Sequence, residues 1–420
     1  MAMAAMAAMA RRRDRLPPKI ISSSSCTSYL LCLGSVVVLL TLFRSSSTNT
    51  FSYNQHHHHH QSVLQTQKKT TCNFSDGKWI YDPAAKAAPP YDWTCKEIFK
   101  GWNCIAGKKS NALDIFKWRW KPNACDLPIF DPLHFLQRYR DSSIGFIGDS
   151  LNRNMFVSLF CTLKGVSSQV RKWRPAGADR GFTFLEYNLT IAYHRTNLLA
   201  RYGRWSANAN GGSLESLGYR EGYRVDVDIP EGTWDKAPGF HDILIFNTGH
   251  WWRAPSKFDP VKSPMLFYEK GVPVMPPPAS TDVGLHMVLK HMISFTEKTK
   301  KGNAVIYFRS QSPRHFEGGD WDEGGSCKRQ KPLSSQEVDE LFSERNNGTN
   351  GEVRIVNQQL YMALKGSGLH WLDVTGMSEF RADAHPSSAG GKKHDDCMHW
   401  CLPGLTDIWN DLLVAQLSQT

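Results

Sequence analysis

Ser143-Ile144-Gly145-Phe146-Ile147-Gly148-Asp149-Ser150-Leu151-Asn152-Arg153-Asn154 is the stretch on which the fold turns. Its opening apolar run shows no alternation, which marks a strand buried on both faces. Leu151 to Leu163 then predicts a helix. Ser150 therefore falls on a strand-to-helix turn. There its hydroxyl projects from the end of a sheet, and the N–H groups of the helix start face a developing oxyanion. A serine is a weak nucleophile without a base. Far along the chain, Asp396-Cys397-Met398-His399 offers one. An acid and an imidazole three residues apart reach one site from one turn of chain, the His taking the Ser proton and the Asp fixing its tautomer. Either half alone is also an ordinary turn or cluster. Together they point to a Ser150/His399/Asp396 acyl-transfer site. His250 and His385 compete as the base, and chain order does not choose among the three.

Further strands are expected at His241–Asn247, Ala304–Phe308, Val353–Val356 and Leu369–Val374, with an amphipathic helix over Thr281–Lys298. Strands separated by helices predict an α/β fold, a parallel sheet covered on both faces. Sites in such sheets form at the carboxyl ends of strands. Ser150, the Asn247–Trp252 segment and Arg309 all follow strand ends. Arg153 lies one turn after Ser150 and, with Asp149, is a further active-site candidate. Its competing role is a salt bridge on a helix. Trp251 and Trp252 are candidates for stacking on sugar rings, although most Trp side chains are simply core. Arg381, Asp383 and His385 are candidates to line an acceptor groove, a capped loop being the alternative.

The 420 residues carry a net charge of +11 and 14 Trp. A mildly basic catalytic part suits an acidic polymer or an anionic donor, and equally a plain solvated surface. No P-loop, dinucleotide fingerprint or nucleic-acid motif is present. Residues 1–19 form a tail holding Arg11, Arg12, Arg13, Arg15 and Lys19. Residues 20–43 carry no charged side chain, which is long enough for a bilayer span. The basic flank predicts a cytoplasmic N-terminus and a luminal remainder. A cleaved signal peptide is the rival reading. Residues 44–71 read as a low-complexity stem, its run His56 to His60 included. Residues 72–141 read as a Cys- and Trp-rich cap, and 142–420 as the catalytic core. Ten cysteines are present. Cys26 and Cys32 lie in the expected anchor. The others, an even number beyond an export signal, imply disulfides whose pairing the count does not fix. The Cys397–Cys401 spacing lacks a second ligand pair, so no metal is expected. Sequons at Asn73, Asn188 and Asn347 agree with a luminal location.

Phe146 to Asn154 resembles the GDS block of the plant trichome birefringence-like family, and Asp396 to Asn410 resembles its DxxH block. Phe116–Pro122, Cys125–Pro128, Asn247–Trp252 and Met377–Pro386 are similar to further family blocks, so the resemblance runs from about Cys72 to Leu413. It implies an SGNH-hydrolase-like three-layer α/β/α core behind a disulfide-stapled cap. It also implies a single-pass type II Golgi membrane protein that acetylates cell-wall polysaccharide hydroxyls. Xylan or another hemicellulose, or pectin, would be the acceptor. The substrate would be an acetyl donor such as acetyl-CoA, with no bound cofactor. An acetylesterase with the same triad and a non-catalytic glycan binder are the rival functions. The resemblance selects Asp396 and His399 over the other histidines, and it suggests Asn247 and Gly249 as oxyanion donors. It also implies the pairs Cys72–Cys125, Cys95–Cys161, Cys104–Cys401 and Cys327–Cys397. One departure is Met155, where many members carry Gln, a position expected to bear on donor or acceptor fit.

Overall fold

The computed structural model describes residues 72–419 apart from 84–90, 211, 213, 255–256, 277–279, 344–348, 390 and 392. The expected tail, anchor and stem, and the sequon at Asn347, lie outside the described residues. Among those described, no helix is long and apolar enough to cross a membrane.

The strands are β1 (Gly77–Tyr81), β2 (Trp118–Pro122), β3 (Ser143–Gly148), β4 (Val170–Trp173), β5 (Arg180–Phe184), β6 (Leu189–Arg195), β7 (Ala200–Ser206), β8 (Glu221–Pro230), β9 (Ile243–Phe246), β10 (Met265–Glu269), β11 (Val272–Pro273), β12 (Val305–Arg309) and β13 (His370–Leu372). β3 is buried along its whole length. It sits centrally in a seven-stranded sheet of order β13-β12-β9-β3-β6-β5-β4. After β3 the chain runs to the far edge at β4, builds back through β5 to β6 beside β3, and then crosses to lay β9 on the other side of β3. The carboxyl end of β3 is therefore the switch point where such sheets form sites.

Side chains alternate between the two faces. Leu244, Phe246, Ile306 and Phe308 pack with the helices Thr281–Thr299 and Thr349–Leu364. Ile243, Ile245 and Tyr307 face the other way, towards the helices Ser150–Lys164 and Leu405–Leu417. The result is an α/β/α sandwich.

Two expectations need correction. The sheet is mixed, because β5 pairs antiparallel with β6 and β4 antiparallel with β5. Val353–Val356 is not a strand but part of the helix Thr349–Leu364. Its buried residues Val353, Val356, Leu360 and Leu364 recur every three or four positions, a helical period that the short apolar run concealed. A smaller sheet, β11-β10-β8-β7, was not anticipated.

The region before β3 carries the β1–β2 ribbon. Trp79 and Trp120 meet edge to face at 5.4 Å. The Trp120 indole donates to the Phe74 carbonyl and the Trp79 indole to that of Met377, each at 2.8 Å. The ribbon is thus tied through Trp79 to the helix Thr375–Glu379. Disulfides join Cys72–Cys125, Cys95–Cys161, Cys104–Cys401 and Cys327–Cys397. Asn73 and Asn188 are exposed.

Asp407 and Asp411 lie one turn apart on the helix Leu405–Leu417. Asp411 is half-buried, and desolvation and then the neighbouring Asp407 push its pKa up to about 8. The unfolded carboxyl ionises near pH 3.9, so between these values the folded state binds the extra proton and stability falls as pH rises. Asp411→Asn is expected to stabilise the protein, and by more at pH 8 than at pH 5. The difference approaches about 1 kcal/mol per pH unit and is measured by urea denaturation. A pH-independent effect would contradict this placement of the carboxyl.

Candidate active site

The residues of the GDS stretch each hold a separate part of one turn. Gly148 has φ +151°, and a Cβ there would lie 1.9 Å from Asn247 Oδ1, so only glycine fits. Asp149 caps the helix, accepting from the Leu151 N–H at 2.9 Å. Asn247 grips Asp149 twice. Its Nδ2 donates to the carboxylate at 2.8 Å, and its Oδ1 accepts from the Asp149 N–H at 3.2 Å. The Tyr193 hydroxyl donates to the carbonyls of Gly148 and Asp149. Asn152 donates to the ends of β3 and β9 through the Ile147 and Ile245 carbonyls, and accepts from Arg309 Nε. Burial pushes the Arg309 pKa down to about 10, Asp149 opposing this, so Arg309 stays charged at neutral pH.

This turn presents Ser150 to the far end of the chain. Ser150 Oγ lies 2.7 Å from His399 Nε2. His399 Nδ1 lies 3.0 Å from both carboxylate oxygens of Asp396. With Nδ1 donating to the carboxylate, Nε2 carries the lone pair that accepts the Ser150 proton. Asp396 also accepts the His399 N–H at 3.1 Å, which holds the acid-to-imidazole turn closed. Asn154 fixes this loop from the helix side, accepting the Trp400 N–H at 2.9 Å and donating to its carbonyl at 3.2 Å. Disulfides flank His399 at Cys397 and Cys401. Cys327, Asp395 and Cys397 cluster as metal ligands do, but the two sulfurs are bonded to each other. As the first residue of its helix, Ser150 has an N–H with no partner inside the helix, which leaves it available to an oxyanion.

Several expected site residues lie elsewhere. Asp149 is a cap and an acceptor, so its carboxylate cannot donate to an oxyanion. Trp252 is 2% exposed and donates its indole to Thr248, so it cannot stack on a glycan. Trp251 is half-buried, with Lys257 Nζ 4.6 Å from its ring centroid. Arg381 and Asp383 are buried as a bidentate ion pair at 2.8 and 3.0 Å, under the Trp79 ring. They staple the cap, Arg381 donating to the Ile115 carbonyl, and the cleft that Arg381 helps to wall, between β2 and the helix Leu405–Leu417, contains neither Ser150 nor His399. His385 is also fully buried, between the His399 carbonyl and His315. It props the loop rather than meeting substrate. His250 is held neutral by burial, its pKa down to about 3, and bonds the Ser312 carbonyl and Gln311. Gly249 has φ +154°, and a Cβ would lie 2.0 Å from Gln311 Oε1. Met155 is buried in the core.

Trp102 was not anticipated. Its ring packs 5.1 Å from that of His399, and its carbonyl accepts the Leu402 N–H at 2.8 Å. It stands two residues before Cys104, the disulfide partner of Cys401, and that link was the available signal.

The GDSL/SGNH-like acyl-esterase family found in Pmr5 and Cas1p matches residues 127–416, and the PMR5 N-terminal domain matches residues 70–126. Protein trichome birefringence-like 13 of Arabidopsis thaliana is 69% identical, over 83% of this chain and 84% of its own length. The chain belongs to the trichome birefringence-like family. Protein trichome birefringence-like 12 is 43% identical over 81% of the chain and 84% of its own length. Xyloglucan O-acetyltransferase 1, also from Arabidopsis thaliana, is 30% identical over 84% of the chain and 81% of its own length. The family thus includes a polysaccharide O-acetyltransferase.

Within this trichome birefringence-like chain, Asn247 is the test of the brace around Ser150. Asn247→Ala leaves the buried Asp149 N–H unpaired, removes one of the two donors to its carboxylate and loosens the turn. A drop of about tenfold to a hundredfold in kcat/KM is expected, carried mainly by kcat. Steady-state kinetics with an acyl donor check it, and an unchanged kcat would show that the brace does not position Ser150.

Proposed function

We propose that this protein is a polysaccharide O-acetyltransferase working through an acetyl-Ser150 intermediate. The observation that carries the reading is the unbroken chain from Ser150 Oγ to His399 Nε2 at 2.7 Å and from His399 Nδ1 to Asp396 at 3.0 Å. Ser150 Oγ attacks the acyl carbon of the donor while its proton passes to His399 Nε2. The Ser150 N–H faces the oxyanion. Collapse of the tetrahedral adduct breaks the bond to the leaving group, which takes the proton back from His399. The acceptor hydroxyl then gives its proton to His399 and attacks acetyl-Ser150, which frees the serine. Asp396 stabilises the imidazolium in both halves and stays ionised.

Transfer to sugar, rather than to water, is supported by the relative named Xyloglucan O-acetyltransferase 1. The uncharged run at 20–43, its basic flank and the four disulfides suit a Golgi type II anchor with a luminal catalytic part. The acceptor is a plant cell-wall polysaccharide.

Incubation of the protein with an acetyl donor and de-acetylated oligosaccharides of xylan, mannan, xyloglucan and pectin tests the reading by mass. An acetyl ester on at least one oligosaccharide is expected. Release of free acetate alone would assign an esterase. Glycan binding with no turnover of donor would assign a binding protein.

A further inference from the structure

Two arginines beside Ser150 make no ion pair and no side-chain hydrogen bond among the described residues. Arg153 follows Ser150 by three positions and so shares its helix face. Its guanidinium lies 5.3 Å from the centroid of Trp102 and 5.9 Å from that of Phe99. The indole that touches His399 therefore also touches Arg153. Arg153 Nε is buried and has no hydrogen-bond partner. Arg195 ends β6 in register with Gly148 and is exposed.

A third arginine, Arg180, stands near, but it is paired with Glu97 at 2.7 Å, and Glu97 also holds Lys172. Burial, then the fields of Arg180 and Arg195, lower the Arg153 pKa, and the exposed Asp179 offsets this in part. Glu231 lies within the field of Arg195 without bonding it. A lone surface arginine is ordinarily just solvated. Arg153 differs, because its charge is set against two aromatic rings, with Nε out of water, one turn from the nucleophile. Guanidinium is the side chain best matched to carboxylate and phosphate, through two parallel N–H donors.

We propose that Arg153 and Arg195 form a subsite for an anionic oxyacid group, carboxylate or phosphate, carried beside the reacting centre. The inference rests on Ser150 being the residue that accepts the acyl group. Such a group has two sources: a uronosyl residue of the acceptor polymer, or the phosphates of a phosphorylated acyl carrier. In either case the arginines choose and orient the partner whose acetyl or hydroxyl meets Ser150.

The test is a binding experiment on full-length Ser150→Ala protein in detergent, using two matched pairs. One pair is oligogalacturonate and its neutral methyl ester. The other is acetyl-CoA and S-acetylpantetheine, which lacks phosphate. In at least one pair the anionic member is expected to bind about tenfold more tightly at low salt, and the preference falls as salt rises. Which pair shows it identifies the source. Arg195→Gln and Arg153→Gln, each added to Ser150→Ala, are expected to erase the preference, while Arg153→Lys retains part of it. Arg195 is exposed, so its variant keeps the test open if an Arg153 variant does not fold. Equal affinity within both pairs, or a preference that survives Arg195→Gln, overturns the subsite. Acetylation of wild-type Ser150 by a neutral aryl acetate is measured alongside. Anion preference without acetylation refutes the proposed function and leaves the subsite standing. Acetylation without anion preference does the reverse.

Discussion

Ser150→Ala, His399→Ala and Asp396→Ala are each expected to lower acetyl transfer by a factor on the order of 10⁴, with little change in stability. In the proposed mechanism the three act as a unit: losing Ser150 removes the acyl carrier, and losing His399 Nε2 leaves nothing to take its proton. Without Asp396 the imidazole loses the acceptor that fixes Nδ1–H at 3.0 Å, and its loop loses the bond to the His399 N–H. A double variant should therefore be scarcely slower than a single one. Initial rates with one donor and one acceptor, beside thermal melts of each variant, check this. Additive losses across the three positions would contradict a shared mechanism.

Cys104→Ser together with Cys401→Ser is expected to cost about 2–5 kcal/mol of stability. This disulfide spans 297 residues of sequence and is the covalent link between the region before β3 and the loop that carries His399. Its unfolded-state loop is long, so the entropy that it removes from the unfolded chain is large. Activity should fall as well, because Trp102 packs on His399 from just beside Cys104. Urea denaturation of the doubly substituted protein measures the first effect and kinetics the second. A denaturation midpoint equal to that of wild type would show that the other contacts of the cap carry the junction alone.

The central strand, its helix and the pair of motifs were legible because they are local. Ile144–Gly148 is an unbroken apolar run, and Ser150 must follow it. Which residues brace the site was not legible, because the braces act across the whole chain. Asn154 grips Trp400 from 246 positions away, and Asn152 joins two strand ends and Arg309. The errors have a common physical cause. Arg381, Asp383 and His385 are polar and read in the sequence as candidates to line an acceptor groove, yet each finds its partner inside. Arg381 and Asp383 neutralise each other, and His385 bonds a carbonyl and a second imidazole. A buried ion pair two residues apart looks in sequence like an exposed loop. Val353–Val356 failed for a different reason, since four residues are too few to show whether the period is two or three and a half.

The central claim is that Ser150 carries the acetyl group. Its most direct test is mass analysis of the peptide bearing Ser150 after the protein meets an activated aryl acetate with no glycan acceptor. One acetyl group on Ser150 is predicted in the wild type, none at a useful rate in His399→Ala, and loss of the label when an acceptor oligosaccharide is added. Unmodified Ser150 in a preparation that transfers acetyl to glycan at full rate would contradict the account.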